Sequence, residues 1–352
     1  MNTNKRLPNR FPTGPTAVVV AAVMVLLQSC VPAWPLPMPT PMASRTIVQS
    51  GLSLHESWRK DNLVVRYAGG VLASEKYVFF ADTRMGLNKG RLQVLDAATG
   101  QLQWQVTDLS VHSLATDRER LFIAVNWNIR AYNLSNGKLL WRTPGELPGH
   151  TGYSIYPMGA EILVYSTENS FQKSELVIRT YDASNGTLKG LSRTEKAPDT
   201  SLVLRSQSVD YWGDAEKLWA IDRSSGRTLW QAKIGGWSPH QPILTNSLII
   251  LSRNQFSGAS FGLYAVDVRT GAIVWQYAGR CLSDFVLTNN TIYAIREDTA
   301  LVGIDSQTGR EIAAMKFATT KAVDDTQYWV AATINKVFAY FGDSQELIAF
   351  AQ

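Results

Sequence analysis

Cysteine is almost missing from this chain: Cys30 and Cys281 are the only two in 352 residues. A disulfide-stapled scaffold is thereby excluded, and so are paired-cysteine metal or haem motifs. Histidine is scarce as well, and His55, His112, His150 and His240 stand apart without metal-ligand spacing. Charged residues make up only 18% of the chain, which leaves no polyelectrolyte tail. The longest apolar run, Ala17–Leu27, has eleven residues, about half of the ~20 that span a bilayer as a helix. No phosphate-cradling glycine loop and no nucleophile elbow are present. Acidic pairs such as Glu297/Asp298 and Asp324/Asp325 have the spacing of ordinary turn chemistry rather than of a calcium loop.

What the chain has in quantity is a repeat. Its clearest copy, Leu218 to Trp230, reads as a strand, a tight turn and a second strand. Asp222 ends the first strand, where its carboxylate can accept the free N–H groups of the turn. Gly226 supplies the positive φ of a short bulged hairpin, and Trp230 carries a ring able to fill a gap between sheets. The same Asp-x3-Gly-x3-Trp frame returns at Asp96/Gly100/Trp104, Asn133/Gly137/Trp141 and Asp267/Gly271/Trp275. Two copies keep the turn and lose the ring, Asp182/Gly186/Gly190 and Asp305/Gly309/Ala313. Steps of 37, 49, 40, 45 and 38 residues separate the copies. A period near 40 with short strands is that of a β-propeller blade. Small residues at the middle of the strand before the turn (Ala131, Ala220, Ala265, Gly303) would let a neighbouring sheet approach closely.

The two ends complete the count. Glu346–Phe350 matches the third strand of a blade, with no fourth strand after it, while Trp58 stands alone before the first full unit. The expectation is an all-β, seven-bladed propeller whose last blade is completed by an N-terminal strand near Trp58, leaving no unpaired edge. Such a ring would be monomeric and would occupy residues 51–352.

Residues 1–29 have the form of an export signal: Lys5, Arg6 and Arg10, then the apolar run, then Gln28-Ser29-Cys30. With Leu27 three residues before it and Ser29 just before it, Cys30 sits where a bacterial lipoprotein is lipidated. The alternative is an ordinary cleaved signal, after Ala33 or Ala43, and a freely secreted protein. Without residues 1–29, 31 basic residues face 29 acidic ones, so a role on nucleic acid gains nothing from charge. Residues 30–50 contain Pro32, Pro35, Pro37, Pro39 and Pro41 and read as an extended tether, although proline-rich sequence also recruits partners. Cys281 has no partner once Cys30 is lipidated, and its expected role is that of a small buried apolar residue.

In a four-stranded meander the second-to-third and the blade-to-blade connections emerge on one side, and the Gly turns on the other. The Gly turns are uniformly short. Blades one, three and five carry insertions on the opposite side, at residues 82–90, 168–173 and 253–258, and the blade-to-blade loops 143–149, 195–200 and 235–241 are long. Insertions in repeat proteins fall on the binding face. Arg84, Lys89, Phe171, Lys173, Trp237, Arg253 and Phe256 therefore define a candidate surface, against the plainer reading of tolerated surface loops.

The run Leu263–Trp275, Leu-Tyr-Ala-Val-Asp-Val-Arg-Thr-Gly-Ala-Ile-Val-Trp, resembles the repeat of the quinoprotein-type (PQQ-like) β-propellers, over about residues 55–352. One branch of that superfamily consists of dehydrogenases holding pyrroloquinoline quinone and Ca²⁺ in a larger ring, many with two adjacent cysteines that this chain lacks. The other consists of non-catalytic, BamB-like envelope lipoproteins. The lipidation motif and single propeller resemble the second branch. What that resemblance implies is a bacterial, extracytoplasmic, membrane-anchored scaffold with a protein partner, without cofactor. A quinone-dependent oxidoreductase and a glycan-binding module using Trp237 and Phe256 are the alternatives.

Overall fold

In a computed structural model, the structure describes residues 47–48, 54–63, 70–82, 90–109, 111–125, 128–144, 154–169, 174–195, 201–213, 216–234, 242–254, 261–317 and 328–352, all strands and turns. All of them lie in one compact unit, Ser44–Gln352. Two strands precede the first full blade, β1 (Ile47–Val48) and β2 (His55–Lys60). Blade one is β3–β6 (Gly70–Ala73, Tyr77–Asp82, Gly90–Asp96, Leu102–Leu109). Blade two is β7–β10 (Val111–Thr116, Arg120–Val125, Asn128–Asn133, Leu139–Arg142). Blade three is β11–β14 (Ser154–Met158, Glu161–Asn169, Ser174–Asp182, Leu188–Glu195). Blade four is β15–β18 (Ser201–Arg205, Val209–Gly213, Lys217–Asp222, Thr228–Lys233). Blade five is β19–β21 (Ile243–Leu244, Leu248–Asn254, Phe261–Asp267) with the first part of β22 (Ile273–Thr288). The second part of β22 opens blade six, with β23–β25 (Thr291–Arg296, Leu301–Asp305, Glu311–Met315). Blade seven is β26–β28 (Tyr328–Ala332, Lys336–Phe341, Glu346–Ala351), and β2 pairs antiparallel with β28, Trp58 opposite Ala349. The protein is a seven-bladed β-propeller whose last blade takes its outer strand from the N-terminal side.

Three details depart from the sequence reading. Cys281, which the sequence places between an outer strand and the next inner one, lies inside the unbroken strand β22. Ile47–Val48, within the stretch expected as tether, pair with Met315 and Ala314 and add a strand to the outer edge of blade six. Glu168, Asn169, Arg253 and Asn254, expected in insertions, extend strands β12 and β20.

The repeat motif is explained by a clasp between consecutive blades. Asp96, Asp222, Asp267 and Asp305 each accept at Oδ1 from the N–H groups two and three residues on, as Asp267 does from Arg269 (3.0 Å) and Thr270 (2.9 Å), while Asn133 and Asp182 accept from the first of these. The turn glycine, at φ 74° for Gly271, donates its N–H to the Asp267 carbonyl at 2.9 Å. Over that glycine lies the tryptophan ring of the preceding blade. A Cβ at Gly271 would stand 2.6 Å from Trp230, and Trp58, Trp104, Trp141 and Trp275 cover Gly100, Gly137, Gly186 and Gly309 in the same way. Each indole N–H donates to the carbonyl just after the turn aspartate: Trp58 to Ala97, Trp104 to Leu134, Trp141 to Ala183, Trp230 to Val268 and Trp275 to Ser306, at 2.8–3.1 Å. Asp and Gly thus serve the seam behind a blade, and Trp the seam ahead of it.

The small mid-strand residues have a different purpose from the one the sequence suggested. Ala131, Ala220, Ala265 and Ala349 sit directly opposite Trp141, Trp230, Trp275 and Trp58 within one sheet, with a register shift beside each pair. A small cross-strand neighbour leaves room for the ring, and the bulge aims it at the next blade. Burying such a ring contributes about 4–6 kcal/mol as an upper bound, against about 1 kcal/mol for its N–H bond. Burial therefore holds the seam, and the bond fixes the orientation.

Trp275→Ala is expected to cost about 3–5 kcal/mol of unfolding free energy, and Trp275→Phe, which keeps most of the apolar surface, only about 1–2 kcal/mol. Urea titration of the two variants measures the difference; equal losses would place the stabilisation in the hydrogen bond. A second expectation concerns acid. The Ser224 and Ser225 hydroxyls and N–H groups hold the Asp222 carboxyl down to about 2, below its ordinary 3.8. Its contribution is complete above about pH 4 and is lost as pH falls through 2. The urea midpoint of Asp222→Asn should accordingly vary less with pH over that window than that of the parent.

Candidate functional site

The second-to-third connections of blades one, three and five are held on stems whose last pairs are Asp82/Arg91, Asn169/Ser174 and Asn254/Phe261. Antiparallel pairing puts these ends of the sheets opposite the Gly turns. Arg84, Lys89, Phe171, Lys173, Trp237 and Phe256 lie outside the described residues, as do Cys30, His150, His240, Asp324 and Asp325. Arg253 is placed on β20, paired with Gly262. The structure thus gives the stems of the expected face and brings its named residues neither together nor apart.

On the Gly-turn side two cavities are built from described residues. The larger, about 810 Å³, is an open bowl formed by the first turns of blades one to three, with Glu75, Lys76, Asp117, Arg118 and Arg120 on its wall. Its charges are partly spent on one another: Asp117 accepts from the N–H groups of Glu119 and Arg120 and from the Arg120 guanidinium, at 2.8–2.9 Å. Among the described residues no group of three or more His, Cys, Asp or Glu side chains could hold a metal. The smaller cavity, about 240 Å³, lies between blades three and four and is lined by Ser154, Tyr156, Pro157, Met158, Tyr165, Leu204 and Arg205. Tyr156 and Tyr165 meet edge to face at 5.0 Å, and Arg205 stands over the Tyr165 ring while its guanidinium grips Asp210 twice at 2.6 Å.

The most perturbed titratable groups are elsewhere, at the seam of blades five and six. Burial, and the Glu311 carboxylate that accepts its O–H, push the Tyr277 phenol far up. Glu311 also receives the Arg296 guanidinium at 2.7 Å, and Asp298 takes its other edge at 2.9 Å. Cys281 is fully buried beside this group, its thiol pushed up to about 12 by desolvation. Charges satisfied in this way serve the packing of the seam, and a cavity of about 50 Å³ lies beside them, lined by Gly262, Leu263 and Tyr277.

Sequence reasoning missed the seam between blades three and four. The only signal in the chain was Gly190 standing where four other copies carry Trp. What distinguishes the seam physically is the burial of its walls, which depends on the neighbouring blade.

With the propeller and its surfaces in view, comparison with known proteins gives one consistent relationship. A family model described as "Outer membrane protein assembly factor BamB" matches residues 88–215 and 178–350. The chain belongs to this BamB family of PQQ-like propellers. The outer membrane protein assembly factor BamB of Yersinia pestis is 20% identical over 274 residues, which are 75% of this chain and 57% of that protein. The chain thus matches less than two thirds of the length of this curated relative. The crystal structure of BamB from Moraxella catarrhalis superposes with a TM-score of 0.52 at 13% identity, over 85% of this chain and all of that one, which supports the propeller fold.

The thiol gives this section its test. Cys281 should resist iodoacetamide at pH 8 in the folded protein and react fully in denaturant, as read by mass spectrometry of its peptide. Rapid native alkylation would show an accessible, activated thiol.

Proposed function

We propose that this protein is a lipid-anchored scaffold of the bacterial cell envelope that binds protein partners in outer membrane protein assembly. The family match across residues 88–350 carries the reading, since the matched family and relative are described as outer membrane protein assembly factors. Residues 1–29 act as the export signal, Cys30 receives the lipid, and the proline-rich stretch after it holds the propeller off the membrane.

The mechanism is presentation. Seven sheets joined by buried seams fix the stems of the blade-one, blade-three and blade-five loops, so little ordering entropy is lost when a partner binds. Arg84, Lys89, Phe171, Lys173, Trp237, Arg253 and Phe256 form the proposed contact face. The reading involves no catalysis and no cofactor; described carboxylates such as Asp117, Asp298 and Glu311 are engaged by neighbouring donors.

Two measurements test it. Cys30→Ser should move the protein from the membrane fraction to the soluble extracytoplasmic fraction and abolish labelling with palmitate. Changing Arg84, Phe171 and Phe256 together to Ala should reduce recovery of outer-membrane assembly proteins from solubilised membranes several-fold without lowering the melting temperature. Unchanged recovery would remove that face from the reading.

A further inference from the structure

The N-terminal side of the chain meets the ring twice, at opposite ends of the blades. In blade six, β25 runs away from the Gly309 turn, so Met315 stands at its far end, paired with Leu301 where the second-to-third connection arrives. Ile47 pairs with Met315 and Val48 with Ala314, antiparallel. β1 therefore starts at the loop end of blade six and runs toward the Gly-turn end. In blade seven the order is reversed. His55 pairs with Ala351, which lies opposite Lys336 just after the first turn, and Lys60 pairs with Leu347. β2 thus starts at the Gly-turn end, and Leu54 just before it is buried with Phe317, Phe341 and Phe350 in the seam of blades six and seven.

Where the chain is first held decides the reach of anything attached upstream of it. Cys30 lies seventeen residues before Ile47, with Pro32, Pro35, Pro37, Pro39 and Pro41 in between. Proline-rich chain extends about 3.1 Å per residue, which gives a leash of at most about 53 Å rooted at the loop end. Were β1 unpaired, the first fixed point would be Leu54 at the Gly-turn end, twenty-four residues from Cys30 and about 74 Å of chain away. The two pairs of β1 thus shorten the leash by roughly 20 Å and move its root to the other side of the ring. Bringing the Gly-turn side to the membrane would then use up the depth of a blade, about 16 Å for the five residues of β25. Bringing the loop side there uses up none, so more conformations of the leash remain.

From these observations we infer that β1 is a pin that turns the loop side of the propeller toward the lipid surface holding Cys30. The inference rests on the lipid-anchor reading and adds to it the face presented. It puts the root of the leash on the same side as the stems Asp82/Arg91, Asn169/Ser174 and Asn254/Phe261. Near that root the charges are paired, Arg280 with Glu297, Arg296 with Asp298, and Lys316 with Asp298. Strand pairing and chain length, rather than attraction to charged headgroups, therefore set the orientation.

The test uses the full lipidated chain carrying Cys281→Ala, in vesicles of phosphatidylethanolamine and phosphatidylglycerol with a rhodamine-labelled headgroup. A coumarin donor is placed on one exposed position at a time. Lys316→Cys and Gln307→Cys mark the loop and Gly-turn ends of blade six, and Arg142→Cys and Lys138→Cys mark those of blade two. Energy transfer to the lipid should be about twofold greater at the loop end than at the Gly-turn end, in both blades, for ends about 16 Å apart. Ile47→Pro with Val48→Pro removes the pairing of β1 and should abolish the difference while the circular dichroism of the ring is kept. A long Gly-Ser insertion between Met42 and Ala43 leaves β1 paired and should shrink the difference, which decides the matter if the double Pro variant does not fold. Equal transfer at the two ends, greater transfer at the Gly-turn end, or a difference that survives both changes would each overturn the pin. A difference confined to blade six would show an edge-on ring and overturn it as well. Mass spectrometry of the N-terminal peptide separates the two readings. Cys30 without lipid sinks the anchor and the pin together, and lipid-bearing Cys30 with equal transfer sinks the pin alone.

Discussion

The constraint on which the rest depends is a tryptophan ring laid flat on a glycine of the next sheet. Four requirements must coincide for it. The turn needs a residue at φ near 70°, and that residue can have no Cβ, since one would penetrate the ring. The strand beside the tryptophan carries a small residue in four of the five clasps and Val94 opposite Trp104 in the fifth, and a bulge turns the ring outward. A carbonyl must also point at the indole N–H. Each is met by a different position of the repeat, so the motif is a description of two half-seams carried by one blade.

Every clasped seam buries an indole, so apolar packing fixes these consecutive sheets to one another. The surface carboxylates of the turns are committed to the turns themselves, and the strongly shifted groups around Tyr277 and Arg296 are committed to one another. A ring held this way gives the loops it carries rigid stems. The departures from the repeat are therefore the informative places. Between blades six and seven Phe317 packs on Phe341 and Phe350 and β1 joins the outer edge of blade six; between blades three and four, where Gly190 stands at the tryptophan position, Leu163, Tyr165 and Ile178 pack with Trp212.

Much was legible from the chain because the relevant signals are local. Asp222 to Gly226 must turn wherever it stands, the recurrence of that turn sets the number of blades, and the lone Trp58 with the incomplete unit at Glu346–Phe350 gives the manner in which the last blade is finished. Strand β22 was less legible. Its sixteen residues serve two blades, and nothing in the alternation around Cys281 says that the chain passes from one sheet to the next without a loop.

The sequence by itself determined the blade, its period and its glycine turns, since these follow from backbone sterics and hydrogen bonds within about a dozen neighbouring residues. Only the tertiary structure decided what each ring covers. A tryptophan and its glycine lie some 40 residues apart in different blades, and whether Trp212 and Trp219 are hidden depends on what the adjoining sheet places against them. That is a property of two surfaces meeting, and no single stretch of chain contains it.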